Sequence, residues 1–552
     1  MSEQLQVTVG GLLDQMAARY PDNEALVYVE RNLRYTYREF NEICRLVAKG
    51  LLRLGIGKGD HISIWAYNVP EWVILQFATA KIGAVLVTVN TSYKSAELEY
   101  ILKQSDSGTL FLVKSFKDTD YVQTLGEVVP ELQTAAPGKL ASGKLPRLKN
   151  VIFIGAETPA GMFNFQRLME LGREVPDEEL AATEATLHCH EVINMQYTSG
   201  TTGFPKGVML THYNVVNNGF NIGECMKLTE KDRLCIPVPF FHCFGCVLGV
   251  MACVTHGSTM VPVEIFDPLK VLQTIERERC TAVHGVPTMF IAELEHPDFA
   301  RFDLTSLRTG IMAGSNCPIE VMKKVIRDMH AAEITIAYGQ TESSPVITQT
   351  RTEDPIELRV ATVGRALPDV EVKVVDIETG AILPPGKQGE LCTRGYLVMK
   401  GYYKMPDETA KAIDADRWLH TGDLAIMDEN GYCKITGRIK NMIIRGGENI
   451  YPREIEEFLY THPKVSDIQV YGVPDRIFGE QVMAAIILKK GMEMSEDEVR
   501  EFCKDKIANY KIPRYVRFVD SYPMTASGKI QKFKMREMAI KELQLEDAGP
   551  TA

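Results

Sequence analysis

A chain of 552 residues is too long for one hydrophobic core, since single cores stop growing at roughly 250–300 residues, so at least two domains are expected. Hydrophobic residues at 45% and charged residues at 24% are ordinary globular values and exclude a disordered chain. A net charge of -11 excludes a general electrostatic affinity for nucleic acid or anionic membrane, which rests on clustered Lys and Arg.

The opening segment, 1–25, has neither the basic start and apolar core of a signal peptide nor the Arg-rich character of a transit peptide, which points to the cytoplasm. Residues 61–66 alternate and are β-branched enough for a buried strand. Asn68 and Pro70 supply a helix start, 72–81 carries helical apolar spacing, and Gly83 ends the helix. A second strand, AVLVTVN at 84–90, follows, so the unit reads strand, helix, strand and parallel pairing is expected. The stretch 134–149, rich in Gly, Pro, Ala, Ser and Lys, reads as an exposed surface excursion.

The most apolar run, 240–254, falls short of the ~20 residues needed to span a bilayer and reads as a buried helix. Further strands are expected at 281–286, 307–313 and 334–338, with a helix at 318–330, so the large region is α/β with mainly parallel sheets. In such sheets ligands bind beyond the carboxyl ends of strands, where Gly314-Ser315-Asn316 and Gly339-Gln340-Thr341-Glu342 fall. From Gly389 the pattern shortens into a compact β region. After Lys440, Pro452 opens a helix, strands follow at 465–473 and 482–490, and a helix at 495–510 completes a small α+β domain.

Twelve Cys without paired spacing read as reduced thiols. His188-Cys189-His190, and His242-Cys243 with Cys246, lack the second ligand pair of a closed zinc site, so no structural zinc is expected.

After the strand-like 192–197 comes YTSGTTGFPKG, 197–207, which concentrates the hydroxyls of Thr198, Ser199, Thr201 and Thr202, glycines including Gly200, and Lys206. Glycines let backbone N–H groups approach phosphate oxygens, hydroxyls add donors and Lys adds a point charge; alone, the segment also reads as a flexible polar turn. It is not a Walker A loop, which needs Gly where Pro205 stands and Ser or Thr where Gly207 stands.

This segment resembles the phosphate-binding signature of the adenylate-forming superfamily, which holds acyl-CoA synthetases, luciferases and peptide-synthetase adenylation domains. YGQTE (338–342), TGD (421–423), GRIKN (437–441), RGGENIYP (445–452) and MTASGKIQK (524–532) follow in the family's order, so the resemblance covers essentially the whole chain. Among these enzymes it is most similar to medium-chain fatty acyl-CoA synthetases, through RGGENIYP, GYLVMKGYY and SGKIQKFKMRE.

The resemblance implies that Tyr338 stacks on adenine, with Gly314 and Ser315 on the opposite wall and Gly339 and Gln340 beside it; without the motif, Tyr338 reads as core packing. Thr341 would contact the α-phosphate and Glu342 would hold Mg²⁺ together with phosphate oxygens. Asp423 would accept from both ribose hydroxyls and Arg438 would reach the nucleotide; outside the motif they read as a turn Asp and a surface Arg. Lys529 would neutralise charge in the first step. His242 matches a position beside the acyl carboxylate, with core packing as the alternative. Residues 238–254 hold no Asp to pair with a substrate ammonium, which favours an apolar acid over an amino acid.

The implied organisation is an amino-terminal AMP- and acyl-binding domain at 1–437, a hinge at 438–441 around Lys440, and a mobile carboxy-terminal domain at 442–552. The expected activity is an AMP-forming acid–thiol ligase using ATP, Mg²⁺, coenzyme A and a small carboxylic acid, with Gly446 and Gly447 letting the pantetheine arm pass. A homodimer is compatible, and nucleic acid is not an expected partner. Two other readings are an enzyme that loads a carrier-protein thiol and a silent nucleotide-binding regulator; the first would be followed by a carrier domain, and the second should have lost Glu342, Asp423 or Lys529.

Overall fold

A computed structural model describes residues 4–198, 205–314, 317, 319–445, 448–504, 506–525 and 530–545. The chain forms two compact units, one of residues 1–372 with 393–419 and the other of 373–392 with 420–552.

In the first unit the expected strand–helix–strand is present as His61–Trp65, Pro70–Lys81 and Val85–Thr88, with the two strands parallel. They belong to a sheet ordered Gly401–Tyr402, Lys206–Thr211, Val192–Thr198, Val85–Thr88, His61–Trp65, Thr109–Leu112, Asn150–Phe153 and Phe163–Asn164. The connecting helix is buried along nearly its whole length, which explains its apolar composition.

The second sheet of this unit contains the expected strands Ala282–Gly285, Thr309–Ala313 and Thr335–Gly339 in parallel register, with the helix Ile319–Asp328 between the last two. Val283, Met312, Met322, Val325 and Ile336 meet in one buried core. Both sheets therefore aim the carboxyl ends of parallel strands at loops that carry the motifs.

Asn68 is not the expected helix cap. The cap position is Val69, without a side-chain bond, and Pro70 occupies the first turn. Asn68, 3% exposed, instead donates to the carbonyls of Val238 and Val263 at 3.0 and 3.1 Å and accepts from the Phe240 N–H at 2.8 Å. One amide thus satisfies three backbone groups that a buried loop would otherwise leave unpaired.

The apolar run 240–254 is helical and buried, but part of it, Phe244–Met251, is a π-helix that continues into Ala252–His256. Among the described residues no helix is long and apolar enough to cross a membrane. All twelve Cys are free thiols, and only Cys317 is not fully buried.

In the second unit the long strands Val465–Asp475 and Gly479–Leu488 pair antiparallel, and Tyr515–Phe518 joins Gly479–Leu488 in parallel. Ile455 and Leu459 of the helix Pro452–Tyr460 pack on this sheet. The helix expected at 495–510 is shorter: it runs Glu496–Cys503, capped by Ser495. Ile507, Tyr510 and Ile512 still reach the same core as Val499 and Cys503, but from irregular backbone and a short 3-10 turn, Asn509–Lys511.

Candidate active site

The strand Val192–Thr198 does not lead into a helix, as a P-loop would, but pairs antiparallel with Lys206–Thr211, with Thr198 opposite Lys206. The described ends of the hydroxyl- and glycine-rich segment, Thr198 and Lys206, are therefore held by a ladder. Ser199, Gly200, Thr201 and Thr202 lie outside the described residues, as do Ser315, Gly446, Gly447 and Lys529.

Gly314 follows directly on the strand Thr309–Ala313, and Tyr338 and Gly339 end the strand Thr335–Gly339. Tyr338 is half-buried, unlike its core neighbours Ile336 and Ala337, so its ring is not a core ring. A Cβ on Gly339 would lie 1.8 Å from the Pro345 carbonyl oxygen, so only glycine lets the backbone turn there. The Gln340 N–H donates to that carbonyl at 2.9 Å, and the short turn Thr341–Ser343 follows.

Glu342 is tied down at both ends. Its carbonyl accepts from the Met399 N–H at 2.9 Å, and its carboxylate Oε1 accepts from the Tyr402 hydroxyl at 2.8 Å. Among the described residues Oε2 makes no hydrogen bond. Lys206 pairs with Glu408 at 2.7 Å and places its ammonium 4.8 Å from the centre of the Tyr402 ring. Lys206, and Lys411 after it, hold the Glu408 carboxyl down at about 2.

His242 is half-buried at the entrance to the π-helix, a form of helix frequent at functional sites, and its carbonyl accepts from Gly245 and Cys246. Beneath it, buried Gln196 accepts from the Cys243 thiol at 3.0 Å and donates to Cys246 Sγ at 3.1 Å. These thiols are engaged with an amide.

In the second unit Asp423 stands opposite Arg438 on paired strands, and Arg438 Nε donates to its Oδ1 at 2.7 Å. Asp423 is 4% exposed, which is not the solvated turn residue that the motif-free reading describes. Within the strand Leu419–Met427, Gly422 has φ 69°, a left-handed conformation that glycine adopts freely. Thr421 Oγ1 donates to Leu391 O at 2.6 Å and accepts from the Asp423 N–H at 3.1 Å. Glu390 takes the Gly422 N–H at 2.9 Å on one oxygen and His420 Nδ1 at 2.8 Å on the other. Glu390, Cys392 and His420 offer ligand atoms within 4.8 Å of one another, yet the carboxylate already serves two N–H donors. Lys440 is exposed in the short turn Ile439–Asn441.

Glu408 and Glu390 stand outside the quoted motifs, and Tyr402 enters only within GYLVMKGYY, with no role attached. Each acts on a motif residue remote in sequence, and no local spacing announces such partners.

The AMP-binding enzyme family profile matches residues 13–403, and that of the AMP-binding enzyme C-terminal domain matches 454–529. The chain belongs to the AMP-binding enzyme family. Within it, the chain is 62% identical to the putative acyl-CoA synthetase YngI of Bacillus subtilis, over 99% of both chains. It is 44% identical to the mitochondrial medium-chain acyl-CoA ligase ACSF2 of Homo sapiens, over 98% of this chain and 88% of that one. Among solved AMP-binding enzymes it is similar to the anthranilate CoA ligase AuaEII in complex with anthranoyl-AMP, at 27% identity and TM-score 0.84 over 98% of this chain and 99% of that one. This AMP-binding enzyme is an adenylate-forming acyl-CoA ligase, with a small carboxylic acid, ATP and coenzyme A as substrates.

Proposed function

We propose that the acid is a mostly apolar one of medium chain length, and that the motif residues divide the two half-reactions between them. The observation that carries the substrate class is the 44% identity to medium-chain acyl-CoA ligase ACSF2 across nearly the whole chain. The wall around His242 supports it, because 244–254 is buried, apolar and without an acidic side chain to meet a substrate ammonium.

In the first half-reaction a carboxylate oxygen attacks the α-phosphorus of ATP and pyrophosphate leaves, giving acyl-AMP. Two anions must meet, so charge neutralisation is the main catalytic need. Lys206 and the hydroxyls of the 197–207 segment are assigned to the phosphates, Thr341 to the α-phosphate, and Lys529 to the charge that develops there. His242 is assigned to the acyl carboxylate. Tyr338, with Gly314 and Ser315, is assigned to adenine, and Asp423 and Arg438 to the ribose. The half exposure of Tyr338 and the fixed Asp423–Arg438 pair support these assignments.

Glu342 is assigned to Mg²⁺, and the donor set fits: one oxygen is held by a phenol, and Mg²⁺ takes one or two carboxylates plus substrate phosphates and waters. When bound, Mg²⁺ supplies neutralisation of the phosphate oxygens. In the second half-reaction the CoA sulfur attacks the acyl carbonyl and AMP leaves; Gly446 and Gly447 are assigned to the path of the pantetheine arm, and Lys440 to the pivot that exchanges them for Lys529. A cytoplasmic location is part of this reading, supported by twelve free thiols and by the bacterial relative.

The test is a panel of carboxylic acids, from acetate through straight-chain acids to benzoate and amino acids, assayed for CoA- and ATP-dependent AMP release. Medium-chain acids should give the highest kcat/KM. Neighbouring acids should differ only modestly, because one methylene in an apolar pocket is worth about 1–3 kcal/mol. Turnover confined to acetate or to amino acids would overturn the assignment.

A further inference from the structure

Tyr402 lies between two groups to which the proposed chemistry assigns opposite tasks. Its hydroxyl donates to Glu342 Oε1 at 2.8 Å, and Lys206 Nζ sits 4.8 Å from the centre of its ring. The residue is 7% exposed and its place is overdetermined. Its strand pairs Tyr402 with Val208, the residue two after Lys206, and its N–H donates to Thr409 Oγ1 at 2.9 Å. Three residues earlier, the Met399 N–H holds the Glu342 carbonyl.

The phenol occupies one carboxylate oxygen and leaves Oε2 with no hydrogen bond among the described residues. Lys206 is itself paired with Glu408 at 2.7 Å.

We propose that Tyr402 is a positioning residue for the metal-holding carboxylate: its hydroxyl fixes Oε1 so that Oε2 is presented to Mg²⁺. The proposal rests on the assignment of Glu342 to the metal, and the experiment separates the two.

Full-length wild type, Tyr402→Phe, Tyr402→Leu and Glu342→Gln are compared for Mn²⁺ binding by electron paramagnetic resonance, with a non-hydrolysable ATP analogue and no acid. Loss of a hydrogen bond to a charged group should weaken Mn²⁺ binding in Tyr402→Phe by about tenfold, with a matching rise in the Mg²⁺ concentration that half-saturates pyrophosphate exchange. The KM for the acid should stay within about twofold, since the acid does not touch this phenol. Tyr402→Leu, which also lacks the hydroxyl, should bind at least as weakly as Tyr402→Phe. Melting curves identify any variant that is merely unfolded, and Tyr402→Leu supplies the same comparison if Tyr402→Phe is unstable. Unchanged Mn²⁺ binding in Tyr402→Phe, beside strong loss in Glu342→Gln, overturns the role of Tyr402 alone. Unchanged binding in Glu342→Gln overturns the assignment of Glu342 to the metal, and the proposal with it.

Discussion

Lys529→Ala is expected to abolish acyl-adenylate formation while leaving thioester formation from ready-made acyl-AMP nearly intact. In the first half-reaction an anionic acid approaches an anionic α-phosphate, and a cation placed against the developing charge is worth roughly 10²–10³-fold in rate. In the second half-reaction the electrophile is an acyl carbonyl rather than an anionic α-phosphate, and the charge gained by the departing AMP falls in a step to which Lys529 is not assigned. Assaying pyrophosphate exchange and thioester formation separately decides the matter. Equal losses in both would mean that Lys529 supports a common binding step or the fold, and would count against the assignment.

Lys440→Pro carries the second large effect, and it should fall on the other half of the reaction. If one face of the second domain serves adenylation and another serves the thiol, some backbone torsion must change between the two steps. Lys440 is exposed in the three-residue 3-10 turn Ile439–Asn441, directly after Arg438. Proline fixes φ near -65°, which lies within the range of a 3-10 turn, so the variant should keep this turn and lose the freedom to leave it. Thioester formation should drop by about 100-fold, equivalent to ~2.7 kcal/mol, with adenylation within a few-fold of wild type. A proline variant with both halves intact would remove Lys440 as the pivot.

The strands and helices at 61–88 and 282–339 were legible because each is a local pattern: apolar residues at period two or near 3.6, punctuated by Pro70, Gly83 and Gly314. Parallel pairing followed from the helix between consecutive strands. The motif residues entered through resemblance, and the fold carries Tyr338 near a strand end, Glu342 in a short turn and Asp423 within a strand. What escaped was everything decided by partners far along the chain. Asn68 reads as a cap because caps and amide bridges use the same side chain; its partners lie 170 to 195 residues away. Tyr402 reads as one aromatic in a β region, and its hydroxyl partner is 60 residues away. The helix at 496–503 was overextended because Ile507 and Tyr510 continue its apolar spacing, although they reach the core from irregular backbone.

The burial of the thiols makes this chain a natural single-site sensor. Burial raises the Cys225 and Cys503 thiols to about 11 and Cys246 and Cys433 to about 12, which suppresses the reactive thiolate. Cys317 is the exception in exposure, and it lies three residues after Gly314, which is assigned to the adenine wall. A maleimide dye should therefore enter one position per folded chain without any cysteine being removed, as intact-mass measurement would record. Saturating ATP should slow that reaction, so the rate of dye uptake would report nucleotide occupancy on the unmodified sequence, including for the variants above that no longer turn over.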